Sequence, residues 1–435
     1  MSGIEIGLVA LAALFILIAI RMPIGPALIG VSFCGLWALM GWRVAWGSLG
    51  VIPYQFSASW ILSSVPMFLL LGFIAFHTGL TQGLFKAARL WLSALPGGLA
   101  IAAVFGASGF AAVSGSSVAC SATMGRIAIP EMLKAKYHPE LATGTLAAAG
   151  TIGALIPPSI ILILYGIVAQ EPVGGLFLGG IAAGLLTALG YILVILLRVW
   201  RNPELAPSIT EPVTSRERLQ ALGETWPVIL LAMGIFGGLF SGVFTPTEAG
   251  AIGAALATLI AAFKRTLTWQ AFFNAITETV QTTAALIVIG IGASLLTRFL
   301  ALSGTGDFLT DAILGLEAGP TTIILGVILL YLLLGMFLEP IGAMLLTLPI
   351  VLPLVDGAGF SLLWFGIILT KLLEIGMITP PIGMNVFVIK GVVGQLVSTS
   401  AIFRGIFWFL LMDFVVVFVL VVWPEIILFL PTAVG

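Results

Sequence analysis

Charge is what this sequence has least of. Its 435 residues include 17 Lys+Arg and 18 Asp+Glu, 8% of the chain, against a hydrophobic share of 60%. Soluble globular domains carry about 25% charged residues. A water-facing surface cannot be made from so small a supply, so lipid is the expected solvent. The net charge is −1 with no basic block, which excludes nucleic-acid binding; the hydrophobicity excludes disorder. The two cysteines, Cys34 and Cys120, lie in apolar stretches without CxxC spacing. They exclude a disulfide framework and are read as small buried hydrophobes. His77 and His138 lack metal-ligand spacing, no GxxxxGK[ST] run is present, and no nucleophile–His–acid set is recognisable. The chain is not expected to be an enzyme, nor to hold an organic cofactor. A basic leader is missing too: Glu5 sits before the first apolar run and Arg21 after it. Residues 4–20 are therefore expected as a retained helix with an outside N-terminus.

What is present is apolar length. A crossing takes about 20 apolar residues, and ten stretches qualify: 4–20, 24–41, 60–79, 138–170, 173–198, 225–242, 246–263, 281–302, 361–393 and 398–430. Blocks 98–131 and 320–356 are treated as hairpins that enter and leave by one face. Segments 81–95, 268–280 and 304–317 are amphipathic and expected at the interface. Residues 200–224, with Arg201, Pro203, Pro207, Pro212, Arg216 and Arg218, form a linker between halves. With both hairpins re-entrant, most basic residues, among them Arg21, Lys86, Arg89, Arg198, Arg216, Lys264 and Arg404, fall on the cytoplasmic side, as the positive-inside rule requires. The C-terminus is then outside. The expected fold is an all-α polytopic membrane protein of about ten crossings plus two re-entrant hairpins.

The chain also repeats itself. Ile152–Pro158 matches Ile375–Pro381 at an offset of 223, and Pro130 matches Pro353 at the same offset. Gly79 and Gly304, Pro96 and Pro320, and Gln170 and Gln395 match at 224 or 225. The two hairpins open from opposite faces in this layout, so the repeat is inverted. Inverted repeats with paired Gly/Pro-interrupted segments mark the binding sites of secondary transporters.

Each repeat offers a broken helix. Pro157 and Pro158 interrupt 138–170; Pro380 and Pro381 interrupt 361–393. The expected form is a half-helix to about 154, an unwound stretch over 154–156, and a second half-helix with proline in its first turn. The first hairpin turns at Ser114-Gly115-Ser116-Ser117, small residues suited to a tight, serine-capped turn. Irregular backbone at membrane depth survives only inside protein or beside a wet cavity. Its free carbonyls and hydroxyls suit a hard monovalent cation, and its N–H groups suit an anion. The second tip lies near Glu339-Pro340, where Glu339 aligns with Ser116; Glu339 is read equally as a cation partner or a helix-cap charge. Lys371 and Glu374, three apart, are expected to pair within the membrane. Asn385 follows the second break by one turn and either faces substrate or bonds a neighbouring helix.

At these residues the chain resembles the large membrane subunit of tripartite ATP-independent periplasmic (TRAP) transporters. The carriers are Gly109–Ser117, Gly150–Ser159, Phe244-Thr245-Pro246-Thr247-Glu248-Ala249 and Glu374–Asn385. The resemblance implies sodium-coupled import of an organic acid (a dicarboxylate, sialic acid or similar carboxylate) across the bacterial inner membrane by an elevator-type protein. In that plan 1–59 and 225–280 are scaffold, 60–200 and 281–435 are the two repeats, and 201–224 is the cytoplasmic linker. It implies a separate small four-helix membrane subunit and a periplasmic substrate-binding protein as partners. It places a first Na+ site at Ser114, Gly115, Ser116, Ser117, Gly150, Thr151, Gly153 and Pro157. A second would use Glu339, Gly342, Gly376, Thr379 and Pro380. An anionic substrate would lie near Ser116, Ser117, Thr379 and Asn385. The competing plan is a stand-alone divalent anion/sodium symporter needing no binding protein.

Overall fold

The computed structural model describes residues 2–207, 214–315 and 319–434. Residues 208–213 of the linker, Pro212 included, and the 316–317 end of the third amphipathic stretch lie outside the described residues. Among the described residues the chain is helical and without strands.

Three N-terminal helices open the chain: α1 (Gly3–Ala19), α2 (Ile24–Met40) and α3 (Trp42–Ser57). A capping box starts α1, with Ser2 Oγ accepting from Glu5 N at 3.2 Å and Glu5 Oε2 accepting from Ser2 N at 2.9 Å. No apolar run marks α3, because Pro53 and two glycines interrupt its pattern. Then follow α4 (Ser64–Thr78) and α5 (Gln82–Leu92), the first hairpin α6 (Gly98–Ser114) and α7 (Ser117–Lys134), the interrupted helix α8 (Pro139–Gly150) and α9 (Ile160–Ala169), and α10 (Val173–Arg201). The linker contains α11 (Ser215–Gly223), and α12 (Trp226–Phe240) and α13 (Pro246–Phe263) follow. Thr245 and Glu248 form the capping box of α13, which accounts for that motif structurally.

Next comes α14 (Trp269–Ser303), 35 residues in one helix, about 52 Å long at 1.5 Å per residue. The sequence reading divided it into an interfacial piece and a separate crossing. That division is corrected: polar Glu278, Gln281 and Thr282 interrupt the apolar run without breaking the helix, because they face a cavity. The second half continues with α15 (Thr305–Leu314), a second hairpin α16 (Pro320–Gly335) and α17 (Pro340–Gly357), the interrupted pair α18 (Leu362–Gly376) and α19 (Met384–Val393), then α20 (Thr399–Val422) and α21 (Glu425–Val434). The single crossing expected over 398–430 ends at Val422, since Pro424 cannot continue a hydrogen-bonded helix.

The repeat is carried by the elements themselves. α7 and α17 begin and end 223 residues apart, and α6/α16, α8/α18, α9/α19 and α5/α15 begin within a residue or so of that offset. Among the described residues six stretches are long and apolar enough to cross a bilayer unaided, Val173–Arg201 and Thr399–Val422 among them. Shorter apolar helices, such as α1, α2, α6 and α16, supply the rest of the bundle. The protein is a multi-pass membrane protein.

Among the described residues three apolar cores hold it together. One joins α1 and α2 to the C-terminal half of α14 through Leu14, Leu28 and Phe299. A second surrounds the first hairpin, α8 and α20, with Phe110, Leu146 and Phe409. The third and largest runs from α4 through α9 and α10 to α17 and α18. On the surface, α5 carries the linker helix: Lys86 Nζ lies 2.6 Å from Glu224 Oε1, and Trp91 Nε1 donates to the Arg218 carbonyl at 3.2 Å.

Candidate functional site

The first tip is built by a glycine and a serine. Gly115 adopts φ +63°, and a Cβ there would stand 2.1 Å from the Pro158 carbonyl oxygen. Only glycine fits both the left-handed backbone and that approach. The hairpin turn therefore sits directly against the first helix break. Ser116 is the N-cap of α7, its Oγ accepting from Ala119 N at 3.4 Å. Gly153, in the short 3-10 turn Thr151–Ala154, presses on the carbonyl of Ser116.

The first break differs from the expected form in one respect. α9 starts at Ile160, capped by Ser159 Oγ accepting from Leu162 N at 3.2 Å, so Pro157 and Pro158 lie in the unwound segment. Serine supplies the capping oxygen that proline lacks, and Pro157 precedes another proline, which disfavours helix there. The second break runs from Met377 to Gly383, where Gly383 at φ +58° leads into α19.

At the second tip Glu339 is the N-cap of α17. Its carboxylate accepts from Ile341 N at 3.2 Å and from Gly342 N at 2.9 Å. Of the two roles weighed for Glu339, the helix-cap charge is present; a carboxylate is also favourable at a helix N-terminus. Gly342 contributes its N–H to that cap and packs on Ile24 of α2.

The two tips meet. Ser116 and Glu339 both line a cavity of about 730 Å³, together with Ser114, Glu278, Gln281 and Thr282. Both also line a smaller neighbour of about 110 Å³, with Gly115, Ser117 and Glu374. The larger volume is of the size that takes small organic ligands. Sequence reasoning missed its α14 wall. Glu278 accepts from or pairs with His77, whose Nε2 lies 3.1 Å from Glu278 Oε1.

The other expected site residues, Gly150, Thr151, Pro157, Gly376, Thr379, Pro380 and Asn385, line neither of these two cavities. Thr151 is buried, with Oγ1 donating to the Ala148 carbonyl at 2.7 Å and lying 3.0 Å from the Tyr191 hydroxyl. Gly150 and Pro157 are buried beside the first tip. Gly376 packs against Gly335 of the second hairpin. Thr379 Oγ1 donates back to the Ile375 carbonyl at 2.6 Å, and Pro380 is exposed. Asn385 is fully buried, its side-chain amide has no partner among the described residues, and neither it nor Thr379 lines the two cavities.

The expected Lys371–Glu374 pair is replaced by two other contacts. Lys371 Nζ lies 2.5 Å from Asp413 Oδ1, and Glu374 Oε2 accepts from the Ser117 hydroxyl at 2.6 Å. The two side chains leave α18 toward different neighbours, α20 and α7. Asp413 also accepts from the Tyr191 hydroxyl at 2.8 Å. Asp413 is the one carboxylate within α20, and an ionisable residue inside such an apolar run is the signal that could have singled it out.

The family described as "Tripartite ATP-independent periplasmic transporter, DctM component" matches residues 11–426. The chain belongs to this family. It is a component of a membrane transporter and not an enzyme. It is 33% identical over 89% of its length to the C4-dicarboxylate TRAP transporter large permease protein DctM of Pseudomonas aeruginosa, spanning 90% of that protein. It is 31% identical over 94% of its length to the sialic acid TRAP transporter large permease protein SiaM of Vibrio cholerae, spanning 95% of it. It is 32% identical over 87% of its length to the isethionate TRAP transporter permease protein DctMQ of Oleidesulfovibrio alaskensis, and spans 59% of that longer protein. The crystal structure of the YdaH transporter of Alcanivorax borkumensis shares the fold, with TM-score 0.61 and 18% identity over 88% of this chain and 89% of that one.

Proposed function

We propose that this chain is the large transmembrane subunit of a sodium-coupled TRAP importer that carries an organic acid across the bacterial inner membrane by an elevator movement. One observation carries the reading: the hairpin tips of two sequence repeats, Ser116 and Glu339, share a cavity beside both interrupted helices. Such a meeting leaves main-chain groups free for ions and solute at one place. The relatives named above are assigned a C4-dicarboxylate, sialic acid and isethionate, all of them acids. Among the described residues no cluster of three His, Cys, Asp or Glu could hold a metal, which suits a monovalent ion bound by oxygens.

In this proposal both hairpins are re-entrant from opposite faces, and both termini are periplasmic. Residues 1–59 and 225–280 are the scaffold; 60–200 and 281–435 supply the moving parts. Na+ lies on the first tip at Ser114–Ser117 with Gly150, Thr151, Gly153 and Pro157, and on the second with Glu339, Gly342, Gly376, Thr379 and Pro380. Substrate lies near Ser116, Ser117, Thr379 and Asn385. A small four-helix membrane subunit and a periplasmic binding protein complete the transporter.

The test is uptake by the complete transporter in proteoliposomes of the solute its binding protein holds. An inward Na+ gradient is expected to drive accumulation, and a Ser116→Ala/Ser117→Ala double variant to lose most of it. Wild-type rates from that variant, or uptake indifferent to Na+, would contradict the reading.

A further inference from the structure

Three polar residues of α14, Glu278, Gln281 and Thr282, stand three and four apart and so share one helix face. That face continues through Ala285 and Ile289, and all five residues line the cavity of about 730 Å³ that both tips border. What this wall lacks decides what it can hold. Among the described residues no Lys or Arg lines the cavity, and its two ionisable residues are both acids, Glu278 on α14 and Glu339 at the second tip. His77 Nε2 lies 3.1 Å from Glu278 Oε1, but His77 is not part of the wall. A protonated imidazole makes the pair neutral and an unprotonated one leaves it negative, so neither form offers the chamber a positive charge. On α4 the wall is apolar, with Leu69, Phe73 and Phe76.

An organic acid held at the tips by one carboxylate has its far end against α14 or α4. A second carboxylate there meets like charge at Glu278 or apolar side chains on α4. Both are strongly unfavourable, because repulsion grows as water is excluded and a buried charge needs a partner. Cations bound at the tips answer charges at the tips, and Glu278 stands on another element. Uncharged polar groups are received differently. The Gln281 amide and the Thr282 hydroxyl each donate and accept, and the Glu278 side chain, 40% exposed, has acceptor capacity beyond its contact with His77.

We infer that the chamber selects a monocarboxylate whose far end carries hydroxyl or amide groups and rejects dicarboxylates, with Glu278, Gln281 and Thr282 as the selecting residues. The inference rests on the reading of the chain as a transporter subunit for organic acids and narrows the substrate class within it. Two separate effects produce the selection. Glu278 repels a second negative charge, and Gln281 with Thr282 favours a solute whose hydroxyl or amide groups satisfy theirs, since an unsubstituted chain leaves those polar groups unpaired.

The full chain with its small membrane subunit, in lipid nanodiscs and NaCl at neutral pH, is melted against titrations of defined probes. Gluconate, glucuronate and N-acetylneuraminate are the hydroxylated monoanions; succinate, malate and 2-oxoglutarate are the dianions. At least one monoanion should raise the midpoint, with a half-effect concentration about tenfold or more below that of every dianion. Glu278→Gln, which removes the charge and keeps the shape, should bring the dianions to within a few-fold of that monoanion. Gln281→Leu/Thr282→Val should erase the preference for that monoanion over hexanoate, a monoanion without hydroxyls; a merely structural fault would weaken both alike. A dianion that binds as tightly as the best monoanion, no effect from any probe, or discrimination unchanged in either variant would each overturn the proposal. The wild-type panel decides even where a variant fails to fold. Sodium-driven uptake of a dicarboxylate by the complete transporter removes this inference alone, whereas uptake without sodium dependence removes the transport reading beneath it.

Discussion

The Ser117 hydroxyl donates a 2.6 Å hydrogen bond to Glu374 Oε2, and both residues are buried. That bond joins the first hairpin to the helix leading into the second break, so the two repeats are tied together beside the first tip. Ser117 is the one hydrogen-bond partner of the Glu374 carboxylate among the described residues. Ser117→Ala is expected to lower stability by about 1–3 kcal/mol, the range for leaving a buried polar group without its partner. Ser114→Ala, whose hydroxyl has no partner among the described residues, should cost clearly less. Thermal midpoints of the two variants in nanodiscs check the order.

Lys371 and Asp413 behave as a unit. Asp413→Asn leaves a buried ammonium without its counter-charge, and a loss of about 3–5 kcal/mol is expected. The Lys371→Met/Asp413→Leu double variant removes both charges and should recover most of that loss. A double-mutant cycle of unfolding midpoints measures the coupling. Equal losses in single and double variants would show that the pair has no such interdependence.

Gly115→Ala combines a left-handed backbone with a collision against the Pro158 carbonyl. The backbone alone costs about 1–2 kcal/mol, and the collision forces the tip off the helix break. Uptake should fall far more than stability, because the tip is displaced while the cores remain. Gly174→Ala, where an added Cβ meets nothing within 4 Å, is the control and should transport normally.

The linker helix gives a pH prediction. The backbone N–H of Thr214, and then its hydroxyl, hold the Glu217 carboxyl below the ordinary carboxylate range. A depressed value in the folded state means that the cap stabilises α11 above the unfolded value, about 4.3, and that this is lost as pH falls through the folded value. Amide exchange over Ser215–Gly223, corrected for its intrinsic pH dependence, should accelerate in that acid window in wild type. In Glu217→Gln it should be flat across the same window.

Much of this architecture was legible because proline and glycine act through the backbone. Pro157-Pro158 and Pro380-Pro381 mark the breaks wherever they occur, and the offset of 223 that they share extends to whole helices such as α7 and α17. The tip at Gly115-Ser116 was legible for the same reason. Side-chain partners were not. Lys371 and Glu374 share a helix face by spacing, yet which of them meets Asp413 and which meets Ser117 depends on the packing of α20 and α7, separated from them by tens to hundreds of residues. The α14 wall was hidden because Glu278 looks interfacial in a one-dimensional pattern; polar side chains that face a cavity inside the bundle produce the same interruption as a membrane surface.

The central claim is that the two tips share one aqueous chamber. Single cysteines at Ser116 and Glu339, in a background with Cys34 and Cys120 replaced by serine, test it in sealed vesicles of known orientation. Both positions are expected to react with the same membrane-impermeant maleimide, and a doubly substituted chain to be joined by a short bis-maleimide. Reaction of the two cysteines from opposite sides of the membrane under every ionic condition, with no cross-link formed, would contradict the account.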